Sequence, residues 1–118
     1  MPTLSNSWLP TTPAVSAAAF EDVIALHPAV VFHVWAIWDG HDRTMDTRLQ
    51  ELRPHFEGRI AFFSLNYDDE ALWGILRCYD VVSPPVLLCF TQGQWRENIV
   101  GVYPAAQLQA KLDALLTL

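Results

Sequence analysis

Positive charge is scarce in this sequence. Lysine and arginine together number 7 among 118 residues, against 13 aspartate and glutamate residues, and the formal net charge at neutral pH is -6. A nucleic-acid-binding protein usually presents a basic face, and attachment to an anionic membrane surface also requires clustered lysine or arginine. The composition therefore argues against both kinds of partner. Apolar residues make up 52% of the chain, which is typical of a folded domain rather than a disordered segment.

Cysteine is also rare, and long hydrophobic runs are missing. Cys78 and Cys89 stand eleven residues apart, so they form neither a Cys-x-x-Cys redox motif nor a metal-binding cluster. The longest apolar stretch, residues 28–38, contains His33 and is too short to cross a bilayer, so we interpret it as a buried strand. The first residues lack the basic segment and apolar run of a secretory signal, which leads us to expect a cytoplasmic protein.

The order of predicted elements indicates an α/β fold. Residues 1–14 contain three prolines and are predicted to form an N-terminal arm, loosely ordered or extended along an edge, while residues 15–118 form one domain. Within that domain, helical stripes and β-rich runs alternate in the order α-β-α-β-α-β-β-α. Gln92 and Gly93 predict a turn between the last two strands, which makes the central sheet mixed.

Four segments of this domain resemble the thioredoxin family, in order and at the family's spacing. The family's central strand and its Trp-Cys-Gly-Pro-Cys motif are matched by VVFHVWAIWDGHD, and the end of its next strand by LNYDDE. The loop with the family's cis-proline is matched by SPPVLLCF, and Gly101 falls where the family keeps a glycine beside the active loop. The resemblance covers roughly residues 16–118. It implies the thioredoxin fold, a central mixed β-sheet flanked by helices, with Pro85 as the cis residue.

The redox motif is where the sequence departs from the family. The residues at this place are Trp38, Asp39, Gly40, His41 and Asp42. Disulfide exchange needs a thiolate nucleophile and a second thiol that resolves the mixed disulfide, and a carboxylate can perform neither step. The resemblance therefore implies a redox-inactive protein, which we do not expect to be a dithiol–disulfide oxidoreductase.

The two aspartates have a structural explanation. Asp39 falls at the N-cap of the second predicted helix and Asp42 in its first turn, where free N–H groups favour a carboxylate. A metal site is disfavoured because the same helix terminus repels cations and the spacing matches no known ligand pattern. A hydrolytic Asp–His site is disfavoured because no serine or cysteine nucleophile is placed beside it. We expect neither a metal nor a cofactor.

His33 occupies the strand position at which thioredoxins commonly bury an aspartate behind the second cysteine. We hypothesise that His33 and Asp42 form a buried pair, which replaces the redox couple structurally and satisfies both polar groups. The alternative is that His33 bonds to a backbone carbonyl group or to a water molecule.

The resemblance also indicates which groups remain for binding. On the family fold, Trp38, Pro84, Gly101 and Val102 converge on one face, and Tyr103 flanks them. Proline has no N–H group, so Pro84 cannot offer a bound peptide the hydrogen bond that the residue before the cis-proline normally supplies. We expect the protein to act as a chaperone, adaptor or assembly factor that binds another polypeptide through this face.

Three alternatives stay open at this point. Cys78 could act as a lone thiol that forms mixed disulfides, in which case it would be accessible and reactive toward alkylating reagents. The chain could instead form a homodimer through the Trp38 face. Finally, Trp38 could pack over its own loop, which would leave only a small patch for any partner.

Overall fold

The computed structural model describes residues 8–118, so residues 1–7 of the predicted arm lie outside the described part. The helices and strands, in chain order, are α1 (Phe20–Leu26), β1 (Ala29–Trp35), α2 (Gly40–Leu52), β2 (Ala61–Asn66), α3 (Trp73–Cys78), β3 (Val86–Thr91), β4 (Gln94–Val100) and α4 (Ala105–Leu115). The predicted order of elements is confirmed. None of the helices in residues 8–118 is long and apolar enough to cross a membrane.

The four strands form one mixed sheet in the order β2-β1-β3-β4. Strands β1 and β2 are parallel, whereas β3 is antiparallel to β1 and β4 is antiparallel to β3. One hydrophobic cluster packs α2 and α4 against one face of the sheet, and a second packs α1 and α3 against the other. Because both faces are covered, all seven residues of β1 are buried, as in a central strand.

Local sequence signals set the ends of several elements. The Ser16 hydroxyl accepts a hydrogen bond from the Ala19 N–H and caps the short 3₁₀ turn that leads into α1. Pro54 lies in the 3₁₀ turn that replaces α2 after Leu52, because proline cannot continue the α-helical hydrogen bonding. Both residues of the β3–β4 turn have positive φ angles, Gln92 at 53° and Gly93 at 75°.

The segment before α1 lies along the outer edge of β2. The Ser64 N–H donates to the Pro13 carbonyl at 2.8 Å, and the Val15 N–H donates to the Ser64 carbonyl at 2.9 Å. Nearer the start, both the N–H and the hydroxyl of Thr11 donate to Oδ1 of Asp46, a buried carboxylate of α2. Residues 11–14, which the sequence assigns to the arm, are therefore held against the domain as an extended edge segment.

One edge of the sheet collects the loops of the candidate site. Trp35 at the end of β1 pairs with Asn66 at the end of β2, and Val86 at the start of β3 pairs with Val100 at the end of β4. The loops after β1, β2 and β4 and the loop before β3 therefore meet at this edge, which places the motif loop next to the proline loop.

Candidate functional site

Asp39 caps helix α2 at the centre of the site. Its backbone is extended, with φ of -103° and ψ of 109°, and its side-chain Oδ1 accepts a hydrogen bond from the His41 N–H at 2.9 Å. Gly40 and His41 follow it in the first turn and are exposed. A carboxylate suits this position because the first N–H groups of a helix have no partner inside the helix.

Asp42 and His33 are in direct contact beneath this cap. Side chains alternate along a strand, so His33 points to the same side of β1 as Val31, which packs in the cluster under α2. Its Nε2 lies 2.9 Å from Oδ1 of Asp42, and neither side chain is reached by solvent. Oδ2 of the same carboxylate accepts the Ala36 N–H at 3.0 Å. Each oxygen of Asp42 thus has a hydrogen-bond partner, whereas Nδ1 of His33 has none among residues 8–118.

The hydrogen bond between Nε2 of His33 and Oδ1 of Asp42 links a ring nitrogen to a carboxyl oxygen. A carboxylate can only accept, so an ionised Asp42 takes this hydrogen bond from an Nε2–H group, and Nδ1 of a neutral ring is then an acceptor lone pair. The pair holds the end of β1 against the first turn of α2, and its burial keeps both groups from any substrate.

Neither cysteine stands in for the missing thiols of the motif. Cys89 lies in the middle of β3, where it pairs with Val31, and it is fully buried. Burial raises the pKa of the Cys89 thiol far above its ordinary value, and the nearby charge of Glu97 raises it further. Cys78 is exposed at the end of α3. Both thiols are free, and neither lies on the motif loop.

Trp38 projects from the motif loop and is held by the loop after β2. Its side chain is 61% exposed, and its indole N–H donates to Oδ2 of Asp68 at 2.9 Å. The ring also makes an edge contact with Tyr67, with centroids 6.4 Å apart. These contacts with the neighbouring loop hold the indole while leaving much of its surface in solvent.

The proline loop lies next to the motif loop. The peptide bond between Pro84 and Pro85 is cis. Pro84 is buried, so it adds little surface to the predicted face. Two hydrogen bonds from neighbouring loops hold the proline loop in place. The Tyr67 hydroxyl donates to the Val82 carbonyl, and the Gly101 N–H donates to the Pro85 carbonyl.

The rest of the predicted face is only half-exposed. Gly101, with φ of 90°, adopts a backbone conformation that glycine reaches without strain. Val102 and Tyr103 are half-buried and pack against the cluster under α2 and α4. The Tyr103 ring also lies 4.6 Å from the Lys111 ammonium group, measured to the ring centroid. Trp38 is therefore the most exposed member of the predicted face.

Sequence reasoning missed two aromatic residues of the site. Tyr67 joins the motif loop to the proline loop, and the indole N–H of Trp73 donates to the Tyr67 carbonyl at 3.2 Å. Trp73 is 48% exposed. A signal for Trp73 was present, because this large aromatic residue falls outside the apolar stripe of its helix. Within residues 8–118, no three His, Cys, Asp or Glu side chains are grouped so as to hold a metal ion.

Comparisons with known proteins agree on one family. The family model described as Thioredoxin matches residues 11–114. The chain is 32% identical over 106 residues to a thioredoxin of Synechocystis sp., a match that covers 89% of this chain and 97% of that protein. It is 31% identical over 105 residues to a chloroplastic M-type thioredoxin of Brassica napus, covering 88% of this chain and 58% of that protein.

Two further comparisons concern length and fold. The chain spans about half the length of several chloroplastic relatives, such as 46% of thioredoxin M2 of Arabidopsis thaliana. A chain from a solved structure superposes on this protein with a TM-score of 0.75. That structure is described as concerning the thiol resolving mechanism in yeast mitochondrial 1-Cys peroxiredoxin via glutathione/thioredoxin systems. At 20% identity, over 87% of this chain and 95% of that one, this likeness shows a shared fold.

Proposed function

Since the chain belongs to the thioredoxin family but carries carboxylates in its motif where disulfide exchange requires thiols, we propose that it acts by binding another polypeptide and does not catalyse dithiol–disulfide exchange. The observation that carries this proposal is the pair of His33 and Asp42. Asp42, at the place of the motif's second cysteine, is buried against His33, so a hydrogen bond between a carboxyl group and an imidazole stands where a redox protein has a thiol.

The exposed part of the site supports binding. Trp38 presents most of its indole to solvent, and aromatic side chains of this size are frequent anchors in protein interfaces. A side chain that is already held, here by Asp68 and Tyr67, loses less conformational entropy when a partner covers it. Such a rigid, apolar group suits a chaperone, adaptor or assembly factor.

The compartment in which the protein works is also part of the proposal. The sequence leads us to propose the cytoplasm, whereas several relatives carry the word chloroplastic in their names. Immunoblotting of separated cell fractions distinguishes these locations. A signal confined to plastids would overturn the cytoplasmic assignment without affecting the proposed binding.

Affinity capture from the native cell extract tests the binding role. The baits are the wild type, Trp38→Ala and Val102→Asp, with Leu26→Asp as a matched control, because Leu26 is 75% exposed beside the start of β1 at the opposite edge of the sheet. We expect one protein to be recovered by the wild type and the control and lost by both site variants. Thermal melts must show that Val102→Asp is folded, since Val102 is half-buried. An identical recovered set for all baits would exclude binding through this face.

A reductase assay tests the absence of redox catalysis. We expect the protein to leave the rate of insulin disulfide reduction by dithiothreitol unchanged, under conditions in which a Cys-x-x-Cys thioredoxin accelerates it. Acceleration that disappears in Cys78→Ser would instead establish the lone-thiol function.

Light scattering of the purified protein tests whether the chain forms a homodimer. A dimer that is lost in Trp38→Ala would identify a second copy of the chain as the partner.

A further inference from the structure

A cleft opens beside Trp38, between the loop after β2 and helix α3. Its volume is about 240 Å³. We call it the tryptophan cleft, and it is lined by Tyr67, Asp68, Trp73, Leu76, Arg77 and Val81. Leu76 and Val81 are buried and supply an apolar floor, whereas the indole of Trp73 is half-exposed. Trp38 stands at the rim, since it contacts both Tyr67 and Asp68.

Both indoles at this cleft are fixed through their N–H groups. Trp38 donates to Asp68, and Trp73 donates to the carbonyl of Tyr67. A partner therefore meets the ring surfaces of these tryptophans rather than their hydrogen-bond donors. The face of an indole attracts cations, and arginine and lysine are the cations that a polypeptide offers.

The charges around the tryptophan cleft favour the same ligand. Asp68 lines the cleft and is followed in the chain by Asp69 and Glu70; all three are exposed, and within residues 8–118 none of them forms an ion pair. The cation among the lining residues is Arg77, which leaves a local excess of negative charge. The whole chain adds to this field through its net charge of -6.

We propose that the tryptophan cleft binds a basic polypeptide segment in which a lysine or arginine stands next to a large apolar side chain. This inference rests on the binding function proposed above and specifies the chemistry of the partner. The cationic group lies on the exposed indoles, close to the three carboxylates. The apolar side chain enters over Leu76 and Val81, next to Val82, which is 80% exposed.

Fluorescence anisotropy with labelled synthetic peptides tests this specificity. A set of short peptides combines Arg or Lys with Leu or Phe in different orders, and each has a matched peptide in which Glu replaces the basic residues. We expect basic members of the set to bind the full chain, with affinity that falls as salt rises, and the acidic counterparts not to bind. A preference for the acidic peptides, or no preference at all, would overturn the proposal.

Amide substitutions isolate the charges without removing hydrogen-bond acceptors. In Asp68→Asn/Asp69→Asn/Glu70→Gln, residue 68 still accepts from Trp38 and residue 69 can still cap the following turn. We expect the dissociation constant of the basic peptide to rise about ten-fold at low salt, as the sum of three exposed charge interactions. Glu57→Gln, an exposed carboxylate near the opposite edge of the sheet, serves as the control and should leave it unchanged. Equal effects of both variants would exclude recognition at the cleft.

Two single substitutions separate the aromatic contribution from the charge contribution. Trp73→Leu keeps an apolar wall but removes the cation-binding face, and we expect about five-fold weaker binding of the basic peptide. Arg77→Gln removes the cation within the cleft and should tighten binding. Weaker binding of the basic peptide in Arg77→Gln would contradict a site that selects a cationic ligand.

The two proposals fail in different ways. If a captured protein depends on Trp38 but its affinity is insensitive to salt and to the amide substitutions, the binding function stands and the basic specificity is wrong. If capture does not depend on Trp38, yet basic peptides bind the tryptophan cleft, the specificity stands and the function through the motif face is wrong.

Discussion

Nε2 of His33 and Oδ1 of Asp42 lie 2.9 Å apart, with both side chains inaccessible to solvent. The contact spans from the interior of a central strand to the first turn of the following helix. Together with the hydrogen bond from the Ala36 N–H, it fixes both ends of the motif loop. The loop that would carry catalytic thiols in a redox protein is thus supported by a buried polar network, whose energetic weight can be measured.

Removal of the Asp42 carboxylate should strongly lower the stability of the protein. Asp42→Ala leaves Nε2 of His33 and the N–H of Ala36 buried without their hydrogen-bond partner, so we expect a loss of about 3 kcal/mol in the free energy of unfolding. Urea denaturation followed by circular dichroism provides the measurement. With His33→Ala and the double variant it completes a thermodynamic cycle, in which we expect the double loss to be smaller than the sum of the single losses. Additive losses would show that the two side chains do not interact.

The N-cap of α2 should contribute less to stability than the buried pair of His33 and Asp42. Asp39→Ala removes the acceptor for the His41 N–H and should lower the free energy of unfolding by about 1 kcal/mol, the usual weight of an N-cap. Asp39→Asn keeps an acceptor at the same place and should remain close to the wild type in the same urea titration. A loss in Asp39→Asn as large as in the alanine variant would mean that charge, rather than capping, is the main contribution.

Asp46 should control the attachment of the first described residues. Its carboxylate accepts two hydrogen bonds from Thr11 and one from Gln50, so Asp46→Ala should cost about 2 kcal/mol. We also expect faster chymotrypsin cleavage after Trp8, because the Trp8 ring, packed 5.5 Å from that of Trp35, is then held less firmly. Asp113→Ala is the control, since its carboxylate is exposed and its ion pair within the described residues is with exposed His55. Equal cleavage rates in the two variants would contradict this role for Asp46.

The two thiols should differ sharply in reactivity. Cys78 is exposed and Cys89 is fully buried in β3, so iodoacetamide should modify Cys78 alone in the folded protein and both cysteines in denaturant. Mass spectrometry of the intact protein and of its peptides identifies the sites. Native labelling of Cys89 at a rate similar to that of Cys78 would show that β3 opens readily.

The raised pKa of Cys89 should appear as a loss of stability in alkali. In the folded protein burial keeps the thiol protonated, whereas in the unfolded chain it ionises near the ordinary cysteine pKa of about 8.5. The unfolded state then binds fewer protons, so the free energy of unfolding falls as pH rises above that value. We expect Cys89→Ala to decline less steeply than the wild type in urea titrations at increasing pH, and Cys78→Ala to follow the wild type. Parallel declines in all three proteins would contradict this assignment.

Local patterns were enough to predict the elements but not their loop contacts. The apolar stripe of α2, the cap at Asp39 and the turn at Gly93 depend on neighbours within a few residues, so the sequence indicated them directly. In contrast, the hydrogen bond from Trp38 to Asp68 joins residues 30 positions apart, and the one from Thr11 to Asp46 joins residues 35 apart. Such contacts depend on which loops the sheet brings together, which composition and periodicity do not encode.

The burial of Pro84 illustrates the same limit. A proline in a loop is ordinarily expected at the surface, and the family resemblance suggested that this one faces a partner. The residues on either side of it are held by hydrogen bonds to the carbonyls of Val82 and Pro85, made by Tyr67 and Gly101 from two other loops. Long-range contacts of the same kind place Tyr67 against Trp38 and Trp73 against Tyr67.

The segment paired with Ser64 also bears on how the protein behaves at high concentration. Residues 13–15 occupy the outer edge of β2, whose backbone groups would otherwise be open to strands of other molecules. The opposite edge, β4, carries Arg96 and Glu97 and has a break in its pairing next to Phe90, features that discourage intermolecular strand addition. A chain shortened to begin after residue 15 would expose the unpaired backbone groups at the outer edge of β2, and we expect it to aggregate through that strand.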